Sequence, residues 1–445
     1  MQSSAFDDIR PRIARALDGD DGGDAAAWTA LDEDIRGALR YGALPPAHTW
    51  FPGEDRDLRP GIQELAVALC GPDGRIREIA LAYVRDAPAL LPLVAIRCAD
   101  WAEPVRTRAR AALEAALPGM PGRPSEALDT LASVILRVAG RRHGDAAHEL
   151  LVQGLREIPE TGVTALRASR DRRVRRLAHR TAVDRGLLSP AQLAATAATD
   201  PDVVVQDMCA NAVLAAVGTA DGAGAADGTP LTRLLAARPG RIRAAGVTGL
   251  HRAGRAEEAE PFLYDRSALV RACARWVLRQ TGTDPLPLYR AACSAGDGMP
   301  HHAPLGLAEC GDRATDAPTL WSLTGDERPR VRAAAVAGLR VLDAVRPGRL
   351  APLLGDDSPR VVRETRKALR PWADHFFPAD GLPHRAAVTP SPRIGEGASA
   401  PLPEAGVSPH RDTTAVPAPR PRSGILRILR ILGFRSVNRP RYPVA

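Results

Sequence analysis

The sequence predicts an all-α chain: a right-handed α-solenoid of stacked helix pairs followed by a disordered C-terminal tail. Three observations lead there. An acidic turn, then Val or Ile followed by Arg, then small and apolar residues at helical spacing recur as DWAEPVRTRARAAL at 100–113, DRSALVRACARWVL at 265–278, DERPRVRAAAVAGL at 326–339 and DDSPRVVRETRKAL at 356–369. Aromatic residues make up only 4% while Ala and Leu abound, so the core is built from small side chains that let helices approach closely. The length of 445 residues then reads as one long array with a tail, since the repeats leave little chain for separate domains.

Residues 1–60 come first and are the least repetitive. They carry acidic runs, DGDDGGD at 18–24 and LDEDI at 31–35, inside WTALDEDIRGALRYG at 28–42 and ahead of LPPAHTWFPGEDRDLRPG at 44–61. The pattern predicts an acidic N-terminal cap of one or two helices and a loop, covering the apolar end of the array.

The array itself is expected over 61–378. Aligning the repeats on the apolar residue before the Arg gives Ile76, Val105, Val174, Val205, Ile242, Val270, Val331 and Val361, mostly about 30 residues apart. The two long gaps each hold about two periods, filled by the degenerate segments 131–155 and 286–312, for about ten units in all. Within a unit an apolar helix, a polar turn and a motif helix follow one another. In the clearest case DAPTLWSL at 316–323 is the first helix, GDERP at 325–329 the turn, and VRAAAVAGLRVL at 331–342 the second. Pro329 stands where a missing N–H costs nothing, and Val331, Ala335, Gly338 and Leu339 share one stripe. Neither helix buries its stripe alone, so adjacent pairs must stack.

From 379 to 422 the chain is rich in Pro, Ala, Ser, Gly and Thr without apolar periodicity, which predicts a disordered linker. The closing segment 423–445 contains SGILRILRILGFR, a basic amphipathic helix of about three turns. Ile425, Ile428, Leu429 and Leu432 share one face, and Arg427 and Arg430 oppose it. Docking into a partner, lying on an anionic membrane surface and folding back on the array all satisfy such a stripe; the length excludes spanning.

The placement of Asp, Pro, Val-Arg, Ala and Leu in these units resembles HEAT repeats, especially the short phycobilisome-lyase HEAT-like kind, and the resemblance covers most of 61–372. It implies a solenoid and says little of function, because such arrays serve as scaffolds, transport adaptors, lyase subunits and DNA glycosylases. It also implies that each motif Arg pairs with an acidic or carbonyl group at a neighbouring turn. Gln206 replaces the Arg in one unit, and Thr365 the small residue in the last, so looser packing is expected there.

Charge narrows the function. Of the net +8, about +7 lies in 381–445, so the body is only mildly basic and a global nucleic-acid field is not expected. Off the motif, Arg110 and Glu114, His179, Arg275 and Arg279, Arg340, and Arg366 and Arg370 occupy sites five and nine residues after the aligned apolar position. Those sites are i, i+4 neighbours, predicting an interrupted basic strip on the second helices, the usual lining of a solenoid's concave face; a merely solvated helix face is the competing reading. The run RASRDRRVRRLAHR at 167–180 lacks the interleaved aromatics of a single-strand platform.

Catalysis finds little support. His301, His302, Cys310 and Asp312 match no zinc spacing, and no Gly-rich phosphate loop, nucleophile elbow or HExxH segment occurs. Cys70, Cys98, Cys209, Cys273, Cys293 and Cys310 form no CxxC pair and are expected to be free, mostly buried thiols in a reducing compartment. The N-terminus MQSSAFDDIR has no basic or apolar leader region. The expectation is a cytoplasmic, non-enzymatic protein-interaction scaffold without catalytic residue, metal or cofactor, with a protein partner on the repeats and a membrane surface or second protein on the tail. Two alternatives remain: a nucleic-acid-binding or glycosylase-type protein using Trp101, Trp276 or Trp321, and an auxiliary subunit of a larger enzyme complex.

Overall fold

A computed structural model describes residues 10–18, 24–42, 44, 51, 60–118, 125–217 and 229–373; the linker and amphipathic tail lie outside these. Among the described residues every regular element is helical, and no strand occurs. The contacts divide the chain into two compact units, Met1–Arg238 and Pro239–Ala445.

The first unit opens with α1 (Arg10–Asp18) and α2 (Ala25–Arg40). Helix pairs follow in chain order: α3 (Ile62–Cys70) with α4 (Gly74–Ala80), α5 (Leu91–Arg97) with α6 (Glu103–Ala116), α7 (Ser125–Val138) with α8 (Asp145–Glu157), α9 (Glu160–Arg167) with α10 (Arg172–Asp184), and α11 (Pro190–Thr199) with α12 (Val203–Val217). The short α13 (Thr229–Leu235) packs on α11. The second unit contains α14 (Gly240–Arg252), α15 (Ala268–Gln280), α16 (Pro285–Cys293), α17 (Ala303–Cys310), α18 (Arg313–Leu323), α19 (Pro329–Val341), α20 (Pro347–Leu350) and α21 (Pro359–Leu369). Two of its first elements are instead 3₁₀ helices, Ala256–Tyr264 and Ala351–Gly355. Pro261 inside the former removes one donor from the ladder, which an expectation of a regular α-helix did not include.

Most motif helices begin by a recurring chemical device, and several end by another. Asp73 and Asp171 cap α4 and α10, accepting from the amides of Arg75 and Arg173. Asp100, Asp265, Asp326 and Asp356 accept from an amide two residues on, turning the chain into the helix that follows. At the other end Gly186, Gly254 and Gly282 take positive φ, and the next amide reaches back five residues to the carbonyls of Ala182, Leu250 and Leu278. Asp343 holds that place after α19, with φ 53°.

Small residues set how closely helices meet. On α19 the side chains of Ala333 to Ala337 and Leu339 are all buried, a wider surface than the single stripe expected, because this helix has neighbours on both sides. A Cβ at Gly338 would stand 3.1 Å from the Pro304 carbonyl and 3.2 Å from Ala308 Cβ, so the absent side chain admits α17. Each buried Leu or Val adds about 1.5–3 kcal/mol.

Near the N-terminus, α2 lies against the first helices α3, α5 and α7. Trp28, Leu31 and Ile35 are buried, Asp32 pairs with Arg97 of α5 at 2.6 Å, and Thr29 accepts from Arg137 of α7 at 3.1 Å. The acidic character of 31–35 is therefore partly consumed inside the fold.

Candidate partner-binding surface

The motif arginines are bound into the stack. Arg332 donates through Nη1 to the carbonyls of Asp326 and Glu327, at 2.8 and 3.0 Å, closing its own turn. Its Nε and Nη2 each reach Asp356 of the next repeat at 2.9 Å. Arg77 repeats this geometry with the Gly71 and Pro72 carbonyls and Asp100, and Arg243 grips Asp265 at 2.8 Å through two nitrogens. The bond from Arg332 holds the Asp356 carboxyl below its usual range. Each such Asp therefore starts its own helix and fastens the preceding repeat.

The variations are informative. Gln206 still donates to the carbonyl of Asp200, so it keeps the turn-closing half of the Arg's role. Asp202 is taken instead by Arg176, at 2.7 and 2.9 Å. In α15, Arg271 and Arg275 share Glu309 of the degenerate repeat, Arg275 at 2.7 Å. That carboxylate went unnoticed in the sequence because its repeat lacks the motif around it. Thr365 is buried with its hydroxyl unpaired.

The eight residues of the expected strip separate by register. At the sites five residues after the aligned position, Arg275 and His179 are buried, with 8% and 3% exposure, and Arg110 is half-buried, donating to the His143 carbonyl. These sites face the neighbouring helix, so Arg275 and His179 do not belong to a surface strip. Burial, then Arg167, pushes His179 down to about 4, although Asp200 lies 3.8 Å away. Arg366 is exposed; it lies on α21, the last described motif helix of the unit.

At the sites nine residues on, Glu114, Arg279, Arg340 and Arg370 are exposed. His251, which the sequence reading omitted, occupies the same register on α14 and is exposed too. Counting from Ile242 finds it. None of His251, Arg279, Arg340 and Arg370 has a carboxylate partner among the described residues. Its ring meets Trp276 edge-on at 5.3 Å. In the first unit the same register holds Arg85, Glu114, Val183 and Leu214, with no uniform charge.

The remaining candidates do not converge. Arg349 stacks on Trp321, which is buried, whereas Trp101 is exposed and Arg77 lies 5.6 Å beneath its ring. No group of three or more His, Cys, Asp or Glu able to hold a metal occurs among the described residues. All six cysteines are free and five are buried; burial pushes the Cys98 thiol up to about 12. No described helix is long and apolar enough to cross a membrane. The tail residues Ile425, Arg427, Ile428, Leu429, Arg430 and Leu432 lie outside the described residues.

Elements and geometry together define an all-α helical-repeat protein. No protein-family model and no curated protein matches the chain. Among solved structures it is similar to an engineered protein, at 16% identity over 78% of this chain and 95% of that one, with a TM-score of 0.23. It is also similar to the karyopherin Kap121p bound to the extreme C-terminus of the protein phosphatase Cdc14p, at 13% identity and a TM-score of 0.26, covering 71% of this chain and 42% of that one. Kap121p alone gives 16% identity and 0.25. The chain thus spans about two fifths of the karyopherin, and values this low carry no functional argument. A phycobilisome-lyase likeness is not among these similarities.

Proposed function

We propose that the chain is a non-enzymatic protein-interaction scaffold. One observation carries this reading: the motif charges are consumed in joining repeats, while Arg279, Arg340 and Arg370 stand exposed without a carboxylate partner among the described residues. Folding alone accounts for the first set and leaves the second available to a partner. Many weak contacts along a repeated surface suit protein recognition better than a reaction, which needs converging groups. The tail segment 423–445 is proposed as a second binding element, for a protein or an anionic membrane surface, in a protein working in the cytoplasm.

Affinity purification from native cytoplasm after nuclease treatment, comparing the full chain with one ending at Asp380, tests the reading. Discrete protein partners retained by both forms support a site on the repeats. Partners lost with the truncation move the principal site to the tail, and recovery that depends on nucleic acid overturns the scaffold reading.

A further inference from the structure

We propose, building on the scaffold reading, that His251, Arg279, Arg340 and Arg370 form one docking row for an extended acidic polypeptide segment. All four stand nine residues after the aligned positions Ile242, Val270, Val331 and Val361. Their helices belong to one stack, with α17 lying between α15 and α19. α14 packs on α15, Arg271 and Arg275 tie α15 to Glu309 of α17, α17 packs on α19, and α19 on α21. Equal register on stacked helices puts the four bases along one edge of the second unit. Neighbouring axes in such stacks are about 8–10 Å apart.

Exposed arginines such as Arg330 and Arg366 also occur on these helices, so the row is distinguished by its shared register. On the same helices Arg243, Arg271, Arg275 and Arg332 are each committed to a carboxylate, whereas the four row residues are exposed and have none among the described residues. The edge contact with Trp276 orients His251. A base in the last turn also complements the helix dipole, by about 0.3–1 kcal/mol. That effect concerns stability alone and predicts no binding.

Spacing defines the partner. An extended peptide advances about 3.3 Å per residue, so about three residues cover one helix step. α17 contributes no base, leaving a double step between Arg279 and Arg340. A segment crossing the helices therefore meets the row with carboxylates at positions 1, 4, 10 and 13. Single-stranded nucleic acid would use stacking faces as well as charge. The Trp276 ring is already engaged by His251.

The test is fluorescence anisotropy of the full chain with a labelled 13-residue Gly/Ser peptide carrying Glu at 1, 4, 10 and 13. The comparison ligands are a peptide of the same composition with its four Glu contiguous and an oligonucleotide of equal charge. The spaced peptide is expected to bind at least fivefold more tightly than either. R279E with R340E should weaken it at least tenfold, while R330E, an exposed change off the row, should alter it less than twofold. Arg279→Gln with Arg340→Gln serves if the reversals do not fold, circular dichroism deciding. Equal binding of spaced and contiguous peptides, insensitivity to both double variants, or tighter binding of the oligonucleotide overturns the row. Cellular partners recovered undiminished by the double variant would also overturn it, while leaving the scaffold reading in place.

Discussion

The Glu309 cluster offers a quantitative test of how unmatched repeats are joined. Arg271 and Arg275 expose only 3% and 10% of their side chains, and both depend on this one carboxylate. Glu309→Gln retains an acceptor oxygen but removes the only negative charge the two guanidiniums share. Breaking a buried pair by removing one partner costs about 3–5 kcal/mol, and the retained amide oxygen argues for the lower end, about 3 kcal/mol. Arg275→Met is the decisive comparison. It leaves Arg271 and Glu309 as a one-to-one pair, and the Tyr289 hydroxyl still donates to the Leu263 carbonyl at 2.8 Å. Met also fills most of the arginine stem, so a cost of at most about 1 kcal/mol is expected. Hydrogen exchange read by mass spectrometry over 268–280 and 303–310 reports the second unit without assuming that the whole chain unfolds in one step. Protection should fall by about a hundredfold in Glu309→Gln and less than tenfold in Arg275→Met. Equal losses would refute the claim that charge balance, rather than the number of contacts, holds this joint.

Other outcomes follow from single positions. His179 protonates near 4 when folded and near 6.5 when unfolded, so the folded form binds fewer protons in between and stability falls as pH drops through that window, by about 2–3 kcal/mol at pH 4. Melting temperature against pH should be flatter over that range in His179→Phe. Gly306→Ala would place a Cβ 2.0 Å from the Tyr289 ring, so a loss above about 2 kcal/mol is expected in denaturant titration, reduced in a Tyr289→Leu background. Asp343→Gly relieves a left-handed residue at a site where the other repeats use Gly, and a gain of about 0.5 kcal/mol should appear as a higher melting temperature. Brief maleimide treatment of the native protein should label Cys310 first, since the other five thiols are buried.

What the sequence revealed follows from what repetition records. Asp356 caps its own turn and grips Arg332 of the preceding repeat, so neither residue changes without loosening two repeats. Such double duty writes the joint into every well-formed unit, and counting spacings recovers it. Glu309 has no counterpart at its position in the motif, and its role emerges only when α17 is laid against α15. The same limit applies to α2, where Asp32 serves Arg97 across a helix contact no spacing rule contains.

The candidate surface was half legible for the same reason. Sites five and nine residues after the aligned position share a face of an isolated helix, which justified grouping Arg275 with Arg279. Stacking separates them in α15, because the neighbouring helix covers Arg275 and leaves Arg279, a turn further on, exposed. In the second unit position nine therefore takes no part in joining the repeats. In the first unit this register holds exposed Arg85 and Glu114, half-buried Val183 and buried Leu214. In the second unit basic residues hold all four of these exposed positions, and the proposed ligand of opposite charge accounts for them where the helix dipole, present equally in both units, does not.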